Sequence, residues 1–169
     1  MLIKKFSHFH KTWKNRHGTA FSVLGYPRSG TTMMSEIVAM VTDYYFDRDN
    51  VYPSSSKVVL HTHWNPAWYA PERSVYMIRN PLDVCLSMLE YAAVQSWMLP
   101  EDLALKSRKI SKLPWLEHCG RAKTVGHLIV DYDRFVAHDA NETERLAKHL
   151  GVPKSWIDQA MTPLGEKHA

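Results

Sequence analysis

The chain has 169 residues, a formal net charge of +4 and a sequence pI near 9.0. This length predicts a single domain, 1–169, that holds one continuous core, because two ordinary domains would need a longer chain. No apolar run approaches the eighteen or so residues of a membrane span, and no run of Lys and Arg is long enough to indicate nucleic acid. The mild basic excess suits an anionic ligand or a polyanionic partner.

The amino-terminal segment 1–20 is basic and lacks the apolar stretch of a signal peptide, so we expect a basic arm or a peripheral helix there. Cys85 and Cys119 form neither a C-x-x-C pair nor a metal-binding spacing. These features predict reduced thiols in a soluble, cytoplasmic protein with no membrane partner.

A strand, a turn-rich loop and a helix follow one another directly after this segment. Phe21–Gly25 is a short apolar run typical of a buried strand, and Tyr26–Gly30 is dense in turn-forming residues. From Thr31 onward, apolar residues recur on one side of a helix. The free N–H groups at such a helix start bind anions, so this stretch predicts a phosphate-like site.

The spacing of this loop can be compared with the Walker sequence G-x-x-x-x-G-K-[ST]. Gly25 and Gly30 have the required separation and Thr32 has the required hydroxyl, but Thr31 stands where the Walker lysine would be. The cation is Arg28, inside the loop. A triphosphatase without the lysine loses charge stabilisation, so the loop predicts a phosphate-like group other than a triphosphate.

Two histidines end the next strand. Residues 43–56 are rich in Asp, Asn, Pro and Ser and predict a loop, and 57–63 is a short β-prone run. Strand alternation puts His61 and His63 on one face. These two histidines could be surface residues or metal ligands. A metal site needs a third ligand, and nothing in the sequence places Cys85 beside the pair.

Another buried strand is predicted at Ser74–Arg79 and stops at Asn80. Asn at an N-cap followed by Pro81 at the first helical position predicts that a helix begins there. Ser87 lies about two turns into this helix, where a small polar residue adds little to a core. Arg79 and Ser87 could therefore reach one anion at the carboxyl edge of the sheet.

The last third of the chain begins with 95–121, whose Pro and Trp residues predict short, broken helical pieces. A strand is predicted at Thr124–Tyr132 and an amphipathic helix at Asn141–Leu150, closed by Gly151. The alternation of strands and helices predicts an α/β fold with a parallel sheet flanked by helices.

Ligands in such folds lie beyond the carboxyl ends of the strands. Four side chains of this sequence fall at predicted strand ends and so could share one cleft: Arg28, His63, Arg79 and Tyr132.

Four motifs in this chain resemble those of the sulfotransferases that use 3′-phosphoadenosine 5′-phosphosulfate (PAPS). YPRSGTT at 26–32 resembles their 5′-phosphosulfate loop YPKSGTT, and IRNPLDVCLSM at 78–88 resembles their 3′-phosphate motif. HTHWNP at 61–66 is similar to K-T-H-x-P, and VDYDRF at 130–135 is similar to YEDL. These motifs occur in the family's order within residues 21–153.

The resemblance implies a P-loop-like sulfotransferase fold and transfer of a sulfuryl group from PAPS to an acceptor hydroxyl, or less readily an amine, without a metal. It places His63 on the catalytic base and Arg28 on the loop cation, His61 on a lysine and Tyr132 near the adenine. The residues implied to bind PAPS are Arg28, Ser29, Gly30, Thr31, Thr32, Arg79, Ser87 and Tyr132.

The sequence departs from the family pattern in three ways. Arg28 replaces the loop lysine and cannot readily donate a proton. The final residues 161–169 lack the R-K-G segment that forms another 3′-phosphate contact, and the insertions that build acceptor pockets are short. An open cleft, or one completed by a second subunit in a homodimer, is expected.

Two other functions stay open at this stage. A small P-loop nucleotide or metabolite kinase would need a lysine by the phosphates and an acidic residue for Mg²⁺, but position 31 is Thr. A non-catalytic protein that binds adenosine 3′,5′-bisphosphate would have no use for a base at His63. The acceptor is expected to be a small molecule or a carbohydrate, with Trp64 and Trp68 either stacking on it or belonging to the core.

Overall fold

The computed structural model describes residues 20–47, 57–94, 111 and 113–168, with side chains up to 162 except at 93 and 94. The predicted arm at 1–19, the part of the predicted loop at 48–56 and most of the predicted broken helices at 95–112 lie outside the described residues.

Five parallel strands form one sheet, in the order β2-β3-β1-β4-β5. Their bounds are Ala20–Gly25 (β1), Tyr45–Phe46 (β2), Val58–Thr62 (β3), Ser74–Ile78 (β4) and Leu128–Asp131 (β5). The three central strands are apolar and nearly continuously buried, as expected when helices cover both faces of a parallel sheet. The prediction of a parallel α/β fold is therefore confirmed.

The helices alternate with these strands. Their bounds are Thr31–Thr42 (α1), Pro81–Val94 (α2), Trp115–Val125 (α3), Tyr132–Val136 (α4), Ala140–Leu150 (α5) and Lys154–His168 (α6), with short 3₁₀ turns at Pro66–Trp68 and Pro71–Arg73. The Asn80 side chain accepts a hydrogen bond from the Leu82 N–H at 2.9 Å, so the predicted start of α2 is confirmed.

Two predicted boundaries are wrong. The strand predicted from Thr124 begins only at Leu128, because Thr124 and Val125 finish α3 and Gly126, with φ of 88°, ends that helix. The predicted loop at 43–56 contains the two-residue strand β2, which pairs with β3 at the edge of the sheet. Two residues are too few to show a hydrophobic period, so sequence alone did not indicate this strand.

Side chains of β1 alternate between the two faces of the sheet. Phe21 and Val23 pack in a cluster with α1, α5 and α6, whereas Leu24 packs with Tyr76 and Ala122 on the side of α3. Because every strand is parallel, the carboxyl ends of β1, β3, β4 and β5 meet at one edge of the sheet. That edge carries the candidate site.

Candidate active site

The loop between β1 and α1 folds tightly over the end of β1. The Ser29 N–H and hydroxyl both donate to the Tyr26 carbonyl, at 3.1 and 2.6 Å. A Cβ at Gly25 would lie 2.4 Å from Ser29 Oγ, so this close return of the loop requires glycine. Arg28 has φ of 72° and Gly30 has φ of 87°, two left-handed residues that turn the chain into α1.

The amino end of α1 is suited to an anion. In the described part of the chain no side chain caps this helix, and its first turn holds no acidic residue. The first N–H groups of a helix have no partner within it and carry the positive end of its dipole. Thr31 and Thr32 open the helix here, Thr31 buried and Thr32 half-buried.

Arg28 and Ser87 are in direct contact. The Arg28 Nε and Nη2 atoms donate to Ser87 Oγ at 3.1 and 3.0 Å, and the guanidinium lies 4.9 Å from the centre of the Tyr91 ring. Ser87 was expected to act with Arg79. The structure instead links Ser87, which lies in α2, to the loop cation Arg28. A residue predicted to bind the 3′ phosphate therefore contacts a residue predicted to bind the 5′ phosphosulfate.

Arg79 extends from the end of β4 across the loop. Its guanidinium lies 4.4 Å from the centre of the Tyr132 ring, and Nη1 donates to the Arg28 carbonyl at 3.4 Å. Its Nε atom is buried and makes no hydrogen bond within the described structure, and lies 3.9 Å from Asp133 Oδ1. Arg79 is therefore held in place while part of its donor capacity is unused.

Asp131 fixes the start of the short helix that carries Tyr132. Its carboxylate accepts the N–H groups of Asp133 and Arg134, at 3.0 and 3.1 Å, and so caps the short helix α4 that begins with Tyr132. A Cβ at Gly30 would lie 2.3 Å from Tyr132 Cδ2, so the ring rests against the bare backbone of the loop. Tyr132 therefore connects the loop with Arg79.

His63 follows β3 at the same edge. Its Nδ1 lies 2.8 Å from the Gly25 carbonyl, and because a carbonyl only accepts, Nδ1 carries the proton. The lone pair of the neutral ring is then on Nε2. Burial first, and then the nearby His61, lower the pKa of His63 to about 3. His63 is thus a neutral imidazole near pH 7 with a defined basic nitrogen.

His61 lies beside His63, as strand alternation predicted. The two ring centres are 4.8 Å apart in an edge-to-face arrangement. The His61 Nε2 atom lies 2.8 Å from Thr31 Oγ1, so His61 contacts the start of α1, close to the anion-binding end of that helix. The structure therefore groups His61 and His63 with the loop.

A further histidine, which the sequence analysis passed over, lies behind His63. His118 in α3 is fully buried, and its Nε2 atom lies 3.1 Å from the His63 carbonyl and 3.0 Å from the Trp64 carbonyl. In the sequence, His118 could have been noticed as a histidine among the apolar residues of a helix. That helix begins inside 95–121, the segment with the least regular sequence pattern. His118 connects α3 with the chain at His63.

All predicted site residues thus lie at or near one edge of the sheet, although the role of each stays a prediction. In the described part of the chain, no cluster of His, Cys, Asp and Glu has an arrangement that could hold a metal ion. Within the same residues, no helix is long and apolar enough to cross a membrane.

No family model matches this chain, and no curated protein sequence matches it. Several solved structures are similar to it, three of which are described here. Retinol dehydratase in complex with androsterone and the inactive cofactor PAP has 17% identity and a TM-score of 0.59 over 85% of this chain and 63% of that one. Mouse sulfotransferase SULT7A1 complexed with PAP has 16% identity and a TM-score of 0.61 over 84% and 63%.

Retinol dehydratase in a complex with retinol and PAP has 17% identity and a TM-score of 0.61, over 86% of this chain and 64% of that one. This chain therefore spans somewhat less than two thirds of the length of these proteins. Identities this low are informative about the fold. With the sheet order and the loop described above, they show that this chain has the α/β fold of the sulfotransferases.

Proposed function

We propose that this chain transfers a sulfuryl group from PAPS to an acceptor hydroxyl and releases adenosine 3′,5′-bisphosphate (PAP). One observation carries the proposal: a neutral imidazole with its lone pair on Nε2, His63, lies at the same sheet edge as a helix start that no described side chain caps, flanked by Arg28 and Arg79. Such a site combines a base with charge compensation for anions.

The residues present fit a nucleotide with two separate anionic groups. The start of α1 offers N–H groups and has no acidic residue in its first turn, and the Nε atom of Arg79 is buried without a hydrogen bond in the described structure. A buried donor without a partner is costly unless a ligand satisfies it. These two features support binding of the 5′ group at the helix and the 3′ phosphate near Arg79.

When bound, PAPS supplies an activated sulfuryl group, whose S–O bond to the 5′ phosphate breaks as the acceptor oxygen bonds to sulfur. His63 Nε2 takes the proton of the acceptor hydroxyl, while its Nδ1–H remains bonded to the Gly25 carbonyl. The loop residues and Arg28 offset the charge left on the 5′ phosphate. Since a sulfuryl group carries less charge than a phosphoryl group, these groups suffice in this proposal without a metal.

The remaining residues bind and orient the nucleotide in this proposal. Arg79 and Ser87 hold the 3′ phosphate, and the contact between Ser87 and Arg28 links the two anion positions. Tyr132 supports Arg79 and is proposed to lie near the adenine. Ser29 and Gly30 shape the loop so that its N–H groups point toward the 5′ phosphate.

The acceptor class that we propose is a small molecule or a carbohydrate. Trp64 and Trp68 follow His63 closely in the chain, their ring centres are 6.2 Å apart, and Trp68 is about half exposed. Exposed indole rings bind sugar or phenolic rings by stacking. A homodimer that completes the cleft stays a proposal, and sedimentation of the purified protein would test it.

The central experiment replaces His63 with Ala and measures transfer from labelled PAPS to a panel of phenols, alcohols and oligosaccharides. Loss of a general base should reduce transfer by about 10²–10⁴-fold, while PAP affinity measured by calorimetry stays nearly unchanged. His138→Asn is the control, because His138 is exposed and Asn tolerates its left-handed backbone.

The outcomes separate an enzyme from a binding protein. A wild-type protein that binds PAP but transfers sulfuryl to no acceptor would favour a non-catalytic adenosine bisphosphate-binding protein. Transfer that survives in His63→Ala at the wild-type rate would show that another group is the base. NMR titration gives a second readout: bound PAP should raise the pKa of His63, because its phosphates place negative charge near the imidazolium form.

A further inference from the structure

His118 uses both of its ring nitrogens inside the protein. Its Nε2 atom faces the carbonyls of His63 and Trp64, at 3.1 and 3.0 Å, and its Nδ1 atom lies 2.7 Å from the Tyr76 hydroxyl. Carbonyl oxygens only accept hydrogen bonds, so Nε2 carries the proton. The Nδ1 atom then has a lone pair, and the Tyr76 hydroxyl donates its one proton to it over the shorter of its two contacts; the Cys119 thiol, 3.4 Å from the same hydroxyl, then donates to the hydroxyl oxygen.

Burial keeps both side chains in the form that this arrangement requires. Removal from water lowers the pKa of His118 and raises the pKa of Tyr76. His118 is therefore neutral and Tyr76 keeps its proton near pH 7. A neutral ring with Nε2–H is the tautomer that can donate to the two carbonyls while accepting from Tyr76.

The two carbonyls belong to the residue proposed as the base and to its neighbour. Holding both fixes the peptide plane between His63 and Trp64, and with it the direction in which the His63 side chain leaves the backbone. The His118 ring also makes a T-shaped contact with the ring of Tyr26, the first loop residue, with ring centres 5.9 Å apart. His118 therefore contacts the segment of the base and the loop at once.

We propose that His118 is a positioning residue for His63, oriented in turn by Tyr76. The proposal rests on the sulfuryl transfer proposed above, in which His63 is the base. His118 touches neither substrate nor reacting atoms; it holds the main chain so that His63 keeps its bond to Gly25 and presents Nε2. A displacement of about 1 Å in such a group can reduce the rate by about 10²-fold.

The kinetic test uses three variants of the full chain. His118→Leu removes the donor and should lower kcat by about 10–100-fold, with KM for PAPS and PAP affinity nearly unchanged. His118→Gln keeps an N–H near the Nε2 position and should recover most of that loss. Tyr76→Phe removes the hydrogen bond to Nδ1 but leaves the two carbonyl contacts of Nε2, so it should lower kcat by less than His118→Leu does.

A second measurement does not depend on activity. Imidazole ¹⁵N NMR spectra report the tautomer of His63, which should be the Nδ1–H form in the wild-type protein and a mixture of tautomers in His118→Leu. His127→Leu is the matched control, because it removes another buried histidine away from this edge and should leave the His63 spectrum unchanged. This comparison separates a positional effect from general loss of stability.

Each result has a defined meaning. If His118→Leu folds, keeps the wild-type tautomer of His63 and loses activity only in proportion to its unfolded fraction, the positioning role is wrong. If the wild-type protein transfers no sulfuryl group, the proposed function fails, but the NMR comparison still decides whether His118 positions His63. A mixed His63 tautomer in His118→Leu with restoration in His118→Gln supports the proposal.

Discussion

Histidines lie at both edges of the sheet, but they are used differently. At the amino edge, His127 donates from Nε2 to the Pro66 carbonyl at 2.9 Å, and its Nδ1 lies 2.5 Å from Ser74 Oγ. His149 donates to the Ser74 carbonyl at 2.9 Å. These bonds join segments that are far apart in the chain, and both nitrogens of His127 are occupied by the protein itself.

At the carboxyl edge both ring nitrogens of His118 are also hydrogen-bonded, whereas among the described residues His63 is bonded only through Nδ1, to the Gly25 carbonyl. The cations differ in the same way. Arg79 lies 3.9 Å from Asp133, while Arg134 and Arg145 lie 2.8 and 3.0 Å from their carboxylates. Within the described residues, unused hydrogen-bonding capacity therefore distinguishes His63 from His118, and Arg79 from Arg134, although the residue types are the same.

The largest effect is expected at the loop, where Gly30→Ala would test whether the carboxyl edge is built around a specific backbone shape. Alanine at this left-handed position costs about 1–2 kcal/mol, and its Cβ would also lie 2.3 Å from Tyr132. Displacing that ring costs about 1–3 kcal/mol more. We expect a total loss of about 2–5 kcal/mol in the free energy of unfolding, and PAP affinity reduced by more than about 10-fold.

Gly126→Ala is the matched control for this change. Gly126 has φ of 88°, nearly that of Gly30, but a Cβ there would meet nothing within 4 Å. It should lose about 1–2 kcal/mol of stability and keep wild-type PAP affinity. Urea unfolding and calorimetry measure both quantities. Equal losses of PAP affinity in the two variants would show that the contact between Gly30 and Tyr132 is not part of the site.

The fold and the grouping of the site were predictable because they depend on short-range signals. Apolar runs predicted the central strands, the pair Asn80-Pro81 predicted the start of α2, and strand alternation predicted that His61 and His63 share a face. In a parallel sheet all carboxyl ends meet at one edge. That rule alone predicts that Arg28, His63, Arg79 and Tyr132 lie at the same edge of the sheet.

The contacts between distant side chains were not predictable in the same way. The bonds of Arg28 to Ser87 join residues 59 positions apart, and His118 is 55 positions from His63. No periodic pattern encodes such pairs, because they depend on how helices pack over the sheet. His118 was missed for a second reason: its helix follows an irregular segment in which sequence periodicity gives little guidance.

A smaller effect is expected from Arg79→Ala, which tests whether the unused donor at the carboxyl edge serves a 3′ phosphate. A hydrogen bond to a charged group contributes about 1.5–3 kcal/mol, so the affinity for PAP should fall by about 10–100-fold. Affinity for adenosine 5′-phosphate, which lacks the 3′ phosphate, should change little.

Calorimetry with both nucleotides measures this difference. Arg121→Ala is the control, because Arg121 forms an exposed ion pair with Glu117 in α3. It should leave both affinities unchanged. If Arg79→Ala weakens PAP and adenosine 5′-phosphate equally, Arg79 supports the loop as a whole and does not bind the 3′ phosphate.

The smallest effect concerns the pH dependence of stability that comes from His118 and His127, whose two ring nitrogens are both hydrogen-bonded within the protein. Burial lowers the pKa of His118 and of His127 below the value of about 6.5 for an unfolded chain. Below about pH 6.5 the unfolded chain therefore binds more protons than the folded protein. Their contribution to stability is complete above this pH and is lost as the pH falls, by up to about 1.4 kcal/mol per pH unit for each histidine.

His127→Gln tests this linkage at the amino edge, where no transfer chemistry is proposed. His149 and Glu72 are the titratable groups that act on His127, and both stay in place in this variant. Urea unfolding between about pH 5 and pH 8 should show a shallower rise of stability with pH than in the wild-type protein. His138→Asn, at an exposed position, should keep the wild-type slope. An unchanged slope in His127→Gln would mean that the pKa of His127 is the same in the folded and unfolded protein. A steeper rise would mean that folding holds His127 protonated, with Nδ1 donating to Ser74 Oγ.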